Sequence, residues 1–168
     1  REVSAKQTEG VILFPALPLP RSAYNESMQQ VVAEISLGRI RKNARLLVKK
    51  ANTALYAVVK DDGYGHGAEQ VAHALEEIAS GFCTATVKEG AALRIAGIRA
   101  PVLVFAPPLD REDALRLRAY DLTATVSSPR SLLLAAEAGV PFHLAVNTGM
   151  NRYGVSPAGA GRMARRAR

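Results

Sequence analysis

From residue 31 onward, short apolar runs alternate with helix-length segments, and this rhythm restricts the chain more than any other feature of its sequence. The runs at 55–60, 82–86, 101–106, 122–126 and 142–147 have the length and β-branched content of strands. Each is followed by a segment long enough to carry the chain back over a sheet, which parallel pairing requires. About five β-α units are therefore expected, and the fold class is α/β.

The helical segments carry their own signals. Val71, Leu75 and Ile78 share one side of a helix over about 68–78, and a second helix passes through Leu93 and Ile95 to end near Gly97. Asp110 is a cap for a helix around 114–120, and Ser128-Pro129 and Ser156-Pro157 are start signals for the last two. Ahead of these units, 31–37 reads as a strand, and Leu37, Ile40, Leu46 and Leu47 mark the apolar side of a helix. Residues 1–30 show no period and are read as an irregular extension, so that the folded unit spans 31–168.

Two parallel architectures fit this rhythm, a doubly wound sheet and an eight-stranded α/β barrel, and five units are too few to close the barrel. A dinucleotide site is poorly supported, because Gly65-His66-Gly67 lacks a third glycine at the required spacing. The P-loop pattern is absent as well.

Composition narrows the function classes. With 48% hydrophobic and 22% charged residues, the chain can bury one sizeable core. Its single cysteine, Cys83, cannot form an internal disulfide and reads as core filler, so a cytoplasmic setting is expected. The most apolar terminal stretch, 11–20, is short and broken by Pro15 and Pro18, so neither a membrane span nor a signal peptide is expected. Much of the net charge of +7 lies in Arg162, Arg165, Arg166 and Arg168, which reads as a solvated helix face. Rings interleaved with basic residues are missing, so no nucleic-acid partner is expected.

The chemistry is concentrated at two strand ends. The first strand ends on Lys60, at the carboxyl edge where α/β folds gather reactive groups. A lysine there, beside Val58 on the same strand face, can lose hydration and act as a nucleophilic amine toward an aldehyde. By position alone, a lysine capping the strand toward solvent is the preferred reading. The fifth strand ends in Asn147-Thr148-Gly149-Met150-Asn151-Arg152-Tyr153-Gly154, a glycine-containing loop whose arginine can bind a carboxylate through two donors. His73 and His143 have no partners at metal spacing, and no metal site is expected.

The stretch Val58-Val59-Lys60-Asp61-Asp62-Gly63-Tyr64-Gly65-His66-Gly67 resembles the cofactor-lysine motif of the alanine racemase family, and residues 142–155 resemble that family's second signature. The resemblance covers roughly 31–168 and implies a partial (β/α)8 TIM-type barrel, followed in the family by a β-rich domain absent from this chain. It implies pyridoxal 5'-phosphate as cofactor, held covalently by Lys60, with the Tyr64 hydroxyl on the cofactor phosphate and Val58 beside it. It further implies that Arg152 faces the cofactor's phenolic oxygen and the substrate carboxylate, with Met150 in the neighbouring wall.

The implied activity is interconversion of L- and D-alanine by two-base proton transfer, supplying D-alanine for peptidoglycan. Lys60 serves one face, and a tyrosine from the other subunit of a homodimer serves the opposite one. A serine racemase, an amino-acid decarboxylase of the same fold type and a non-catalytic cofactor-binding protein are the alternatives. The sequence departs from the family pattern at Asp61 and Gly63, which implies a looser, more acidic loop. It departs again at Ala145, where many members carry a carbamylated lysine, so Arg152 is expected to be held by Asn147 instead.

Overall fold

The computed structural model describes residues 32–167 and the backbone of residues 7–8 and 11–13. Three short strands, β1 (Gln7–Thr8), β2 (Val11–Leu13) and β3 (Glu34–Ser36), pair antiparallel in that order. Two of them fall within the stretch expected to be irregular; the rest of that stretch lies outside the described residues. Pairing of Val11 with Ser36 and Leu13 with Glu34 joins segments more than twenty residues apart, a contact that local periodicity cannot reveal.

Helix α1 (Leu37–Ala51) starts at Ser36, whose hydroxyl accepts from the Arg39 amide, and stops at Asn52 in the left-handed conformation. Leu37 and Ala44 are buried and Ile40 partly so. Leu46 and Leu47, expected on the same side, are 49% and 57% exposed. At about 100° per residue Leu46 falls opposite Leu37, so helical geometry overrides apolarity there.

The remaining strands, β4 (Tyr56–Val58), β5 (Gly81–Thr84), β6 (Val102–Val104), β7 (Thr123–Val126) and β8 (Phe142–Leu144), form one parallel sheet in sequential order. Between them run α2 (Lys60–Gly65), α3 (Ala68–Leu75), α4 (Val87–Ile95), α5 (Arg111–Ala119) and α6 (Pro129–Glu137), and α7 (Pro157–Arg166) follows β8. A doubly wound sheet reverses its strand order, whereas this one never does, so the topology selects the barrel of the two expected architectures. The five units form a partial (β/α)8 barrel.

With right-handed crossovers, sequential order puts every helix on the same side of the sheet. Helices α3 to α6 accordingly pack each against the next. Side chains pointing toward them, including Val59, Phe82, Thr84, Val102, Val104, Ala124 and Val126, are almost fully buried. Leu117 and Leu122 fill the space beneath, and Gly90 has no side chain because a Cβ there would lie 2.9 Å from Leu122. The opposite face, the inside of the barrel, carries Tyr56, Val58, Cys83, Leu103, Thr125 and His143. It is most exposed at the edge strands.

Three helices start at the caps expected from the sequence, Asp110, Ser128 and Ser156. Asp110 and Ser156 cap α5 and α7, while Thr86 with Glu89 and Ser128 with Ser131 form reciprocal capping boxes on α4 and α6. At the amino-terminal rim the Arg94 guanidinium donates to the carbonyls of Ile98, Ala100, Tyr120 and Asp121, tying two helix ends together.

Two outcomes follow. Leu117→Ala removes a fully buried side chain between sheet and helices and is expected to cost about 2–5 kcal/mol, read as a lower urea midpoint. Cys83 is buried and desolvation pushes its thiol from 9.0 up to about 11. Its contribution to stability is therefore whole below the ordinary thiol value and is lost as pH rises from 9 to about 11. Cys83→Ser should flatten that part of the stability profile, and an aromatic disulfide reagent at pH 8 should label Cys83 only after denaturant is added.

Candidate active site

Strand β4 continues its ladder one residue past Val58, where the Val59 amide donates to the Cys83 carbonyl at 2.9 Å. Lys60 is the next residue. Alternation along the strand puts Tyr56, Val58 and Lys60 on the barrel side and Ala57 and Val59 against the helices. Val58 is 39% exposed and Lys60 half-buried, so the described residues desolvate the amine only in part.

The backbone then makes an unusual turn. Asp61, Asp62, Gly63 and Tyr64 have φ of 51, 52, 64 and 56°, four consecutive left-handed residues, so that α2 is a left-handed helical turn. For each residue with a Cβ this conformation costs roughly 1–2 kcal/mol, less for aspartate. Compensation comes from hydrogen bonds: the Gly63 amide donates to the Val59 carbonyl and the Gly67 amide to the Asp62 carbonyl, both at 2.9 Å. Asp62 Oδ1 accepts from the Ala68 amide at 2.9 Å and so caps α3, whose own N-cap is Gly67. His66 Nδ1 lies 2.9 and 3.1 Å from the carbonyls of Gly63 and Tyr64, supporting the loop as its flanking glycines imply.

Gly63 therefore does not loosen the loop; it is buried, with its amide bonded, at the centre of the turn. The turn brings the Tyr64 ring back to the lysine, with Lys60 Nζ 5.5 Å from the ring centroid. Tyr64 itself is 59% exposed, leaving its hydroxyl available.

The second group lies beyond β8. Ala145 extends the ladder to Val126, and a parallel bridge between Val146 and Val155 closes the intervening loop at its base. Asn147 organises that loop: its Oδ1 accepts from the amides of Gly149 and Asn151, each at 3.1 Å, and its Nδ2 donates to Asn151 Oδ1 at 2.9 Å. Gly154, at φ 121°, is required because a Cβ there would lie 2.8 Å from the Asn147 nitrogen. Both acceptor positions of Asn147 Oδ1 are taken by the Gly149 and Asn151 amides, and its remaining Nδ2 hydrogen finds no acceptor on a guanidinium. The expectation that it holds Arg152 directly gives way to a different support, the Tyr153 ring 5.4 Å from the guanidinium carbon. Arg152 is exposed and Met150 is 77% exposed.

The fold thus joins Lys60, Tyr64 and Val58 at one edge and Met150 and Arg152 at the other. Four strand spacings separate these edges, roughly 19 Å along the sheet. Among eight barrel positions, however, the first and fifth are diametrically opposed, and curvature turns both groups toward one carboxyl mouth. Among the described residues no hydrogen bond or ion pair links the two groups, and no cluster of three metal-ligating side chains exists.

Sequence reasoning assigned no role to Glu89 or to Asp62. The Thr86-x-x-Glu89 spacing is a capping-box signature that signals Glu89's helix contact. Its bond to the Asp61 amide, 2.9 Å long and 28 residues away, had no local signal.

Residues 35–168 match the family described as alanine racemase, N-terminal domain. Among curated relatives, the alanine racemase of Xanthomonas axonopodis pv. citri is 37% identical over 134 residues, covering 77% of this chain and 37% of its own length. That of Nostoc sp. is 37% identical over 139 residues, covering 76% and 36%. Among solved structures, alanine racemase from E. faecalis superposes with a TM-score of 0.72 at 34% identity, over 78% of this chain and 38% of that one. The enzyme from D-cycloserine-producing Streptomyces lavendulae gives 0.68 at 32% identity, over 79% and 37%. The chain therefore spans under two fifths of the length of these relatives. In sequence and in fold, this chain belongs to the alanine racemase family.

Proposed function

We propose that this chain supplies the cofactor-binding barrel portion of a pyridoxal-phosphate-dependent alanine racemase, which interconverts L- and D-alanine and feeds D-alanine to peptidoglycan synthesis in the cytoplasm. The reading is carried by one observation: a half-buried lysine at the carboxyl end of a barrel strand, with the ring of a mostly exposed tyrosine folded back beside it.

The donor set suits the cofactor's chemistry. A primary amine can hold its aldehyde carbon, the Tyr64 hydroxyl can donate to its phosphate, and the exposed Val58 side chain offers an apolar surface to its ring. Arg152, exposed and stacked on Tyr153, can direct its two-donor fork toward a phenolic oxygen or a carboxylate. When bound, pyridoxal phosphate supplies an electron-withdrawing ring that weakens the Cα–H bond of an attached amino acid.

The chain's own residues then have separate tasks. Lys60 anchors the cofactor at rest, and its amine, once free, takes or returns the Cα proton on one face. Tyr64 and Val58 fix the cofactor at the β4 edge. Arg152 orients the substrate carboxylate, and Met150 lines the wall beside it. A second acid-base group must act on the opposite face for inversion. We assign it to a tyrosine from the other subunit of a homodimer of the complete protein.

In the complete protein, Lys60→Ala should lower racemisation by on the order of 10³-fold or more, followed by circular dichroism of L- and D-alanine. Activity at the parental level would remove Lys60 from the chemistry. Arg152→Lys should retain the visible absorbance of the bound cofactor while turnover falls by on the order of 10- to 100-fold, because lysine keeps the charge and loses the planar fork. Residues 1–168 alone, with pyridoxal phosphate added, should not racemise alanine at the parental rate, and parental activity would contradict this division of roles.

A further inference from the structure

The backbone at Lys60 is held from both sides. Before it, the Val59 amide makes the last ladder bond to Cys83. After it, the Asp61 amide donates to Glu89 Oε1 at 2.9 Å. Glu89 is itself fixed: its other oxygen accepts from the amides of Ala85 (2.7 Å) and Thr86 (3.0 Å), and its own amide donates to the Thr86 hydroxyl at 3.2 Å. One half-buried carboxylate thus ties the end of β5 and the start of α4 to the first left-handed residue after Lys60.

We propose that Glu89 is a positioning residue for Lys60: by anchoring the Asp61 amide it sets the direction in which the lysine leaves β4 and holds the left-handed turn that returns Tyr64 to it. This role rests on the reading of Lys60 as the cofactor lysine. Without the anchor, Asp61 is free to leave the left-handed region for the conformations a residue with a Cβ prefers, and Tyr64 would swing away from the amine. The helix cap alone does not require this contact, because Oε2 makes both cap bonds and Oε1 goes to Asp61.

That split allows a selective test in the complete protein. In Glu89→Gln the single side-chain oxygen satisfies the two amides of the cap, and the NH₂ group then faces the Asp61 N–H, donor against donor. Thr86→Ala does the reverse: it removes the hydroxyl that caps α4 and keeps the acceptor for Asp61. Hydrogen exchange of the Asp61 amide is measured without cofactor, and the attachment of added pyridoxal phosphate is then timed by visible absorbance.

Glu89→Gln is expected to speed that exchange by about tenfold or more and to slow attachment, while Thr86→Ala leaves both near parental values. Unchanged exchange in Glu89→Gln would overturn the proposal, as would an equal effect from Thr86→Ala, which would reduce Glu89 to a helix cap. Failure of the functional reading looks different: the unmodified protein would form no adduct on Lys60, while exchange at Asp61 would still respond to Glu89→Gln.

Discussion

A parallel strand can pair with its predecessor only after the chain has returned to the starting end of the sheet, and everything else in this molecule follows from that constraint. Four such returns, made without reversing the strand order, put the helices on one face and the chemistry-bearing loops on one rim. The helix-facing side chains of β4 to β7 are sealed; the inner face stays most open at β4 and β8, the two edge strands. Lys60 and Arg152 both sit just past the carboxyl ends of those edges.

Each site loop is held by a side chain with no direct part in the proposed chemistry. Glu89 fixes the exit from β4, and Asn147 folds the loop after β8 through three hydrogen bonds. Among the described residues, four of the six non-glycine positions with positive φ lie in these same loops: Asp61, Asp62, Tyr64 and Asn151. Such backbone persists only where neighbouring contacts over-determine it, and here those contacts are visible one by one. Arg152 has the Tyr153 ring beside it, 5.4 Å from the guanidinium carbon.

The strands, their order of appearance and the helix caps were readable because they depend on local patterns: apolar runs of strand length, and Asp110, Ser128 and Ser156 at helix starts. The choice between barrel and doubly wound sheet was not readable from the rhythm, because strand order is a non-local fact. The pairing of Val11–Leu13 with Glu34–Ser36 escaped notice for the same reason. Lys60, Tyr64 and Arg152 were singled out by their resemblance to family motifs, but the left-handed turn joining the first two was not legible. Tyrosine gives no sign of positive φ and aspartate only a weak one, so the glycines at 63, 65 and 67 were the main hint of it. Leu46 shows the opposite error, an apolar residue counted as core that helix geometry turns outward.

The central claim is that this rim exists to hold an aldehyde cofactor on Lys60. Borohydride reduction of the complete protein with pyridoxal phosphate, followed by peptide mass mapping, tests it most directly. The account predicts a stable adduct on the peptide carrying Lys60, lost in Lys60→Ala. An adduct on another lysine, such as Lys88, or none at all in the folded protein, would contradict it.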